Sequence, residues 1–295
     1  METYIFCKYF SDFPLHLKMI FNGEYVSSHS LPKSYIFTWI FITTPILYIV
    51  LFILGYIQIL KRFFIRFINI KENENDQGFW QGTNEKKDLF ICFNLTVIIL
   101  YLISFSTPLY SGWRHIYFSN VFIIYISIVG FYQIDIYMKR KFKKNFHYYI
   151  SILFLMTVVY KMFIYHPFQN IYFNNYFNKI SHLNFEIDYW GLSGKKFLKE
   201  ILTLVNNESA IKIGVASFLP LERSTKLLNK KERKRIKIIG GNFNDADYLY
   251  SNFMSEVDKN FDDKYKIPSN FTKIDEFVLD DIKVYEVFKK KELSD

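Results

Sequence analysis

Long stretches without a charged residue dominate the first half of the chain. Residues 34–60 and 89–113 contain no Asp, Glu, Lys or Arg, and two further apolar stretches follow at about 116–138 and 145–165. An α-helix needs about 20 apolar residues to cross the hydrocarbon core of a membrane. The pattern therefore predicts a polytopic α-helical membrane domain over residues 34–166, with about four transmembrane helices at 34–60, 89–110, 116–138 and 145–165.

Two residues interrupt the apolar pattern of these helices. Pro45 follows Thr43 and Thr44, whose hydroxyls can bond carbonyls that a proline kink leaves without a donor. A proline tolerated without any such role is the alternative interpretation. Asp135 lies near the end of the third span, beside a basic run, and we expect it to pair with that run.

A small soluble domain of α/β or α+β type is predicted after His166-Pro167, over residues 167–295. Helical periodicity is found at 195–205 and in a charged segment, 221–235. Apolar and strand-forming residues predict strands at 211–217, 236–239, 246–250, 271–279 and 282–288, the last two joined as a hairpin around Asp280-Asp281. Gly240-Gly241 lacks the further glycine and the helix of a dinucleotide-binding fingerprint, so a turn is predicted there.

Residues 1–33 lack the ordered basic leader, short apolar core and cleavage site of a secretory signal. Phe13, Leu17, Ile20 and Phe21 fall on one helical stripe before a turn at Asn22-Gly23. The segment is therefore predicted to lie at the membrane interface.

The charge pattern orients the predicted spans. A basic run at 139–144 lies between the third and fourth spans, and a second basic loop lies at 61–88. Both are expected on the cytoplasmic side of a bacterial inner membrane, which places residues 1–33, the turn at Gly112 to His115 and the carboxy-terminal domain outside. No span precedes residues 1–33, so we expect the chain to be the rear part of a longer polytopic protein. A partner chain carrying the missing amino-terminal spans is one way to complete it.

Composition argues against several classes of function. The formal net charge of +9 would suit a nucleic acid, but the densest basic run lies between two spans rather than on the soluble part, so nucleic-acid binding is not expected. Cys7 and Cys92 are far apart, and Cys92 falls inside a span. The sequence therefore predicts neither a disulfide framework nor a metal site, and no cofactor is expected.

Candidate binding residues cluster at the predicted outer face. The turn at 107–118 places an aromatic plate, Trp113, beside a permanent cation, Arg114, and a titratable imidazole, His115. Together they suit an anionic head group. Comparable clusters of aromatic and polar residues occur at 161–173 and 185–192.

Simpler interpretations exist for several of these residues. An aromatic belt at the level of the lipid head groups explains Trp113 and Tyr117 equally well. Lys161, near the outer end of the fourth span, can extend its amine to the interface, or it can be a second cation facing an outward cavity. Asp188 can orient an acceptor hydroxyl or have a structural role between the soluble domain and the membrane part.

Several ordered strings carry a resemblance to a known group of enzymes. YSGWRHIYF at 110–118, HPFQNIYFN at 166–174 and FEIDYWGLSGKKFLKEI at 185–201 together resemble the carboxy-terminal half of GT-C superfamily membrane glycosyltransferases. These are similar to dolichyl-phosphate-mannose protein mannosyltransferases, glycosyltransferase family 39. The segment at 21–46 resembles the outer loop and span that precede those strings, so the resemblance covers most of residues 13 to about 205.

The resemblance implies a function at the outer face of the membrane. Such enzymes transfer a sugar from a polyprenyl-phosphate donor, and an acidic residue in a first outer loop near the amino terminus is their catalytic base. No match to that loop is found, and the surroundings of Asp12 do not match the acidic motif, so no catalytic residue is assigned.

The remaining residues fit the donor half of such a reaction. Sugar transfer builds negative charge on the leaving phosphate, which fixed cations stabilise. We expect Arg114, His115 and Lys161 to bind the donor phosphate and Trp113 or Tyr110 to stack on the sugar or lipid. Four residues are candidates for acceptor binding or for a structural role: His166, Asp188, Tyr189 and Trp190.

Three hypotheses of function follow. The first is a membrane glycosyltransferase, or the carboxy-terminal part of one, acting on a polyprenyl-phosphate-linked sugar. The second is a noncatalytic membrane scaffold or partner subunit that keeps the same fold and depends on another chain for the catalytic acid. A transporter is less favoured because the four spans show no internal repeat.

Overall fold

The chain divides into two compact units, one helical and one built around a sheet. The computed structural model describes residues 17–68, 79–142, 146–174, 177, 181–205, 209–254 and 265–291. The helical unit is Pro32–Ile164, and the second unit combines Met1–Leu31 with Tyr165–Asp295. Cys7, Asp12 and Phe13, which entered the sequence-based expectations, lie outside the described residues.

The helical unit contains five α-helices in the part of the chain that is described. They are α1 (Tyr35–Thr43), α2 (Ile46–Ile68), α3 (Gly82–Ser104), α4 (Asn120–Phe142) and α5 (Phe146–Ile164), with a 3₁₀ helix at Arg114–Ser119 directly before α4. Four segments are long and apolar enough to cross a membrane: Ile46–Ile68, Gly82–Ser104, Arg114–Lys141 and His147–Ile164. The expectation of about four apolar helices that could span a membrane, followed by a sheet-containing domain, is confirmed at this level.

The first long helix differs from the predicted span at 34–60. The helix breaks at Thr44-Pro45, so α1 ends at Thr43 and α2 continues to Ile68. Thr43 Oγ1 donates to the carbonyl of Trp39 at 2.6 Å, one turn earlier in α1. The carbonyl that Pro45 leaves without a helical donor is that of Phe41, so this bond does not test the role expected for the hydroxyl. α2 continues beyond the predicted end at residue 60 because Arg62 and Arg66 are paired with acids of α3, Asp88 and Glu85.

Two glycines bring α2 and α4 into backbone contact. A β-carbon on Gly55 would lie 2.0 Å from the carbonyl oxygen of Ile126, and one on Gly130 would lie 1.9 Å from that of Leu51. Ser127 Oγ also donates across the crossing to the carbonyl of Tyr48 at 3.0 Å. Small residues allow membrane helices to approach this closely, so the crossing depends on the absence of a side chain at both positions.

The second unit is organised around a five-stranded mixed sheet. Its strands are β3 (Ile211–Val215), β4 (Ile236–Gly240), β5 (Tyr248–Ser251), β6 (Phe271–Leu279) and β7 (Ile282–Lys290), in the order β4-β3-β5-β7-β6. β3 is parallel to both β4 and β5, while β7 is antiparallel to β5 and β6. The described helices of this unit are α6 (Ser181–Asn184), α7 (Ser193–Leu204), α8 (Glu222–Thr225) and α9 (Lys230–Arg235).

The apolar face of α7 packs on this sheet. Phe197, Leu198 and Ile201 are fully buried, and the ring of Phe197 lies 4.7 Å from that of Tyr250 on β5 and 5.8 Å from that of Tyr285 on β7. Burying such side chains contributes about 1.5–3 kcal/mol each. The helical periodicity at 195–205 predicted this helix, which spans Ser193–Leu204.

Most of the elements predicted for this unit are confirmed, and one is wrong. β6 and β7 form the hairpin around Asp280-Asp281, whose φ angles are 52° and 66°. The single charged helix predicted at 221–235 is instead the two short helices α8 and α9. Asn229 interrupts it, because its side chain accepts from the backbone N–H of Glu232 at 2.8 Å and starts a new helix there.

The helical stripe predicted within residues 1–33 is also wrong. Leu17 precedes a two-stranded hairpin of β1 (Lys18–Phe21) and β2 (Glu24–Ser27), with Asn22 and Gly23 at positive φ in the turn. Phe21 forms a bridge with Phe185, and Gly23 N–H donates to the carbonyl of Asn184 at 3.2 Å. The partner of this hairpin is remote in sequence, which is why local periodicity did not reveal it.

Candidate functional site

The turn before α4 is held in place by its backbone geometry and by contacts with α1. Ser111 and Gly112 both have positive φ, 54° and 74°, a region that glycine adopts without strain. Tyr35 Oη donates to the carbonyl of Gly112 at 3.2 Å, and the ring of Trp39 packs against Gly112. The turn is therefore a fixed feature of the helical unit.

Trp113 anchors this turn from inside the unit. Its side chain is buried, and Nε1 donates to Thr43 Oγ1 at 3.0 Å. Its ring also contacts that of Tyr117 at 5.1 Å. The structure thus places Trp113 in the interior, and Tyr110 is the better placed of the two residues expected to stack on a sugar or lipid.

Three of the expected donor-binding residues meet on this turn. The guanidinium carbon of Arg114 lies 4.5 Å from the ring centroid of Tyr110, and the imidazole of His115 contacts the same ring at 4.5 Å with an interplanar angle of 64°. Arg114 and Tyr110 are half-buried and His115 is exposed. We call Tyr110, Arg114 and His115 the Tyr110 cluster; it fixes a cation and an imidazole on one aromatic ring.

The other expected residues are divided between the two units. Lys161 is half-buried near the end of α5 in the helical unit. The second unit holds His166, Asp188, Tyr189 and Trp190. His166 is exposed, precedes a cis proline bond, and its Nδ1 lies 3.1 Å from Gln169 Nε2.

Asp188 is a buried structural residue of the second unit. Its side chain is fully buried, and its carboxylate accepts from the backbone N–H groups of Leu192 and Ser193 at 3.0 and 3.2 Å and from Ser193 Oγ at 2.5 Å. Ser193 Oγ in turn lies 2.6 Å from Tyr250 Oη. Burial raises the pKa of the Asp188 carboxyl, against the opposing effect of these donors. These contacts attach the beginning of α7 to the sheet.

Tyr189 and Trp190 follow Asp188 in a turn that precedes α7. Their ring centroids are 5.7 Å apart, and 57% of Trp190 is exposed. Gly191, the next residue, has a φ of 65°. Trp190 is therefore exposed, whereas Asp188 is buried. The DYWG string alone did not show this difference between the two residues.

Two buried aspartates of the helical unit, Asp88 and Asp135, form polar clusters. The Asp88 cluster was not predicted from the sequence, and the Asp135 cluster was predicted only in part. Asp88 accepts from Arg62 at 2.7 Å and from Tyr125 at 2.8 Å, which links α2, α3 and α4. Asp88 directly precedes an uncharged stretch, and that position was the signal available in the sequence.

Asp135 forms the second of these clusters. Lys139 donates to its carboxylate at 2.9 Å, which confirms the pairing expected with the basic run. His147 Nε2 and Tyr148 Oη, both of α5, also contact the carboxylate, at 2.8 and 2.9 Å. These two contacts were not expected, since they depend on how α4 and α5 pack.

No group of three or more His, Cys, Asp or Glu side chains that could hold a metal ion occurs among the described residues. Cys92 is buried and has a free thiol. Comparison of the chain with protein-family models, with characterised proteins and with solved structures finds no match.

Proposed function

We propose that this chain is a membrane protein of the GT-C glycosyltransferase type that binds the phosphate of a polyprenyl-phosphate-linked sugar through the Tyr110 cluster. The observation that carries the proposal is the fixed placement of Arg114 and His115 against one aromatic ring. The resemblance of the strings at 110–118, 166–174 and 185–201 to that group of enzymes and the four apolar helices support it.

The chemistry of the reaction explains why a fixed cation is useful. The bond between the anomeric carbon of the sugar and the phosphate oxygen breaks, the acceptor hydroxyl forms the new glycosidic bond, and its proton passes to a base. The leaving polyprenyl phosphate gains negative charge. A guanidinium held on an aromatic face can donate its in-plane N–H groups to two phosphate oxygens, and His115 can supply a further donor.

The proposal also includes a location and an orientation, which follow from the basic loops at 61–88 and 139–144. The chain lies in a bacterial inner membrane, with the Tyr110 cluster and the second unit on the extracytoplasmic side. Lys161 contributes positive charge near the end of α5. No residue of this chain is assigned as the catalytic base.

The proposal is tested by lipid-phosphate binding. With the full chain in nanodiscs, we expect farnesyl phosphate to bind and farnesol, which lacks the phosphate, to bind much more weakly. Arg114→Ala should weaken farnesyl phosphate binding roughly 10–100-fold, because hydrogen bonds to charged groups contribute about 1.5–3 kcal/mol.

Matched variants separate a specific site from general charge. Arg140→Ala removes an exposed arginine from the other end of α4 and should leave binding unchanged, while Arg114→Lys should keep the charge but lose the bidentate geometry and give an intermediate affinity. Equal affinity of the wild type and Arg114→Ala would exclude the Tyr110 cluster as the phosphate site.

A noncatalytic membrane scaffold or partner subunit is the second candidate. Among the expected site residues the single carboxylate is Asp188, and it is fully buried with its oxygens bonded inside the second unit. A partner subunit would bind the lipid phosphate without transferring sugar by itself. Transfer that appears only when a second membrane chain is co-purified would favour this candidate.

A further inference from the structure

The sheet of the second unit contains a point at which strand order reverses. β3 is flanked by two parallel strands, β4 on one side and β5 on the other. The chain therefore first moves from β3 to one side and then crosses to the other. In open sheets with parallel strands, ligands bind at the carboxyl ends of the strands beside such a reversal.

Four segments meet at the carboxyl ends of β3 and β5: the loop after β3, the loop after β5, the turn before α7, and α6. The loop after β3 joins the loop after β5 through a hydrogen bond from Phe218 N–H to the carbonyl of Met254 at 2.7 Å. The turn before α7 joins both loops: Asn252 Nδ2 lies 3.4 Å from the carbonyl oxygen of Asp188, and a β-carbon on Gly191 would lie 3.6 Å from Leu219.

Helix α6 completes this edge of the sheet. The imidazole of His182 on α6 lies 5.1 Å from the ring of Phe253, which follows β5. Phe253 has a φ of 61°, so the backbone turns sharply there. We call five residues on these four segments the switch-point site: His182, Trp190, Ser217, Phe218 and Phe253.

Two uncharged polar groups are buried at the switch-point site without a partner among the described residues. They are the hydroxyl of Ser217, whose residue is only 5% exposed, and Nδ1 of His182. Burial lowers the pKa of His182 and the nearby Lys283 lowers it further, against the opposing effect of Glu286 and Glu276, so the shift favours the neutral imidazole. A buried polar atom without a hydrogen bond costs about 1–3 kcal/mol, so both atoms favour a ligand that supplies one.

Two of the same segments carry exposed aromatic side chains. Trp190 is 57% exposed and Phe218 is 39% exposed. The charges nearest to His182 on the sheet, Lys283, Glu276 and Glu286, form ion pairs with one another. The carboxylate of Asp188 already accepts from the first N–H groups of α7. The switch-point site is thus aromatic and uncharged, and it is unsuited to an anion.

We propose that the switch-point site binds a carbohydrate ring. The apolar face of a pyranose packs against an exposed indole such as that of Trp190. Its hydroxyls both donate and accept hydrogen bonds, which matches the hydroxyl of Ser217 and the neutral imidazole of His182. This inference rests on the second unit alone and does not require the lipid-phosphate site.

Binding of neutral trisaccharides tests the inference. With the full chain in nanodiscs, maltotriose, mannotriose and chitotriose are titrated to about 10 mM, the range of weak single-site binding, and followed by calorimetry. At least one of them should saturate. Trp190→Ala should weaken its binding about tenfold or more, Trp190→Phe should weaken it less, and Ser217→Ala should weaken it about three- to tenfold.

Control variants separate sugar binding from folding and from the lipid-phosphate site. Ser217→Ala should not lower the melting temperature, because the hydroxyl makes no hydrogen bond inside the described part of the chain. Trp80→Ala, an exposed tryptophan of the helical unit, and Arg114→Ala should bind the sugar like the wild type. Absence of saturation by all three sugars, or wild-type affinity of Trp190→Ala, would overturn the inference.

Discussion

The carboxylate of Asp188 holds three parts of the second unit together. It bonds the first N–H groups of α7 and the hydroxyl of Ser193, which itself contacts Tyr250 on β5. Because the residue is fully buried, each donor that loses this acceptor has no water to replace it. Asp188 should therefore matter for the stability of the second unit, in contrast to the exposed Trp190 two residues later.

Replacement of Asp188 by alanine should destabilise the second unit strongly. Three donors would lose their acceptor, and we expect the free energy of unfolding to fall by about 2–4 kcal/mol. Limited proteolysis of the full chain across a temperature series would measure this loss. Asp245→Ala, which removes an exposed aspartate of the same unit, should change stability by less than about 0.5 kcal/mol.

The pH dependence of stability should report the raised pKa of Asp188. Since the folded state holds this proton more tightly than the unfolded state, the stabilisation is complete below the unfolded pKa and is lost as pH rises through the folded pKa. The difference in melting temperature between the wild type and Asp188→Asn should thus move against the wild type as pH rises above about 4. A difference that is independent of pH, or that moves in the wild type's favour, would contradict the raised pKa.

Sequence alone suggested candidate residues around the turn and in the DYWG string, but it did not predict which of them are buried. Arg114 and His115 were expected to act together, and both contact Tyr110. Trp113 and Asp188 belong to these strings too, yet both are buried. Trp113 donates to Thr43, and the carbonyl of Asp188 accepts from Asn252, which are both distant in sequence. Local chemistry suggests candidates, and only the tertiary contacts decide which of them reach the surface.

The crossing of α2 and α4 brings two helix backbones into direct contact. Gly55 and Gly130 each face the backbone of the opposite helix at a distance that no side chain can occupy. Packing at such a contact comes from van der Waals attraction between backbones, because lipid supplies no hydrophobic driving force between helices.

A single methyl group at this crossing should separate the two helices. Gly55→Ala and Gly130→Ala should each lower the stability of the helical unit by about 1–3 kcal/mol through overpacking, measured as the melting temperature of the purified chain in detergent. Gly241→Ala adds the same methyl group where nothing lies within 4 Å, and it should behave like the wild type. Wild-type melting of both crossing variants would show that the helices do not meet at these glycines.

The uncharged stretches predicted that the long helices exist, but they did not predict several of the helix ends. α2 runs through Lys61 and Arg62, and α3 begins well before Leu89, because Arg62 and Arg66 neutralise Asp88 and Glu85 across the helix pair. A window of hydropathy counts each of these charges separately and ends the helix too early. A partner remote in sequence was also needed to recognise β1. Met19 and Phe21 are buried on one face of this strand, and the ring of Phe21 packs against that of Phe185.

The discontinuous second unit constrains the topology of the whole molecule. The β1–β2 hairpin contacts residues 184 and 185, so if the apolar helices between these segments cross a membrane, the segments before α1 and after α5 must emerge on the same side of it. An even number of crossings must separate them. The four apolar helices between them satisfy this condition, and three or five would not.

Cysteine labelling tests this parity. In a background of Cys7→Ser and Cys92→Ser, single cysteines at the exposed positions Glu24→Cys and Ser269→Cys should react with a membrane-impermeant maleimide from the same side of sealed vesicles. Arg140→Cys, exposed at the end of α4, lies three crossings away from residue 24 and should react only from the other side. Labelling of Glu24→Cys and Ser269→Cys from opposite faces would exclude four crossings.

The contact between Phe21 and Phe185 also sets an order of events during biosynthesis. The hairpin leaves the ribosome early, but its packing partner follows only after every apolar helix has been made. At typical rates of translation this delay is on the order of 10 s. During that time Phe21 lacks its packing partner, so the second unit can close only after the apolar helices have been synthesised.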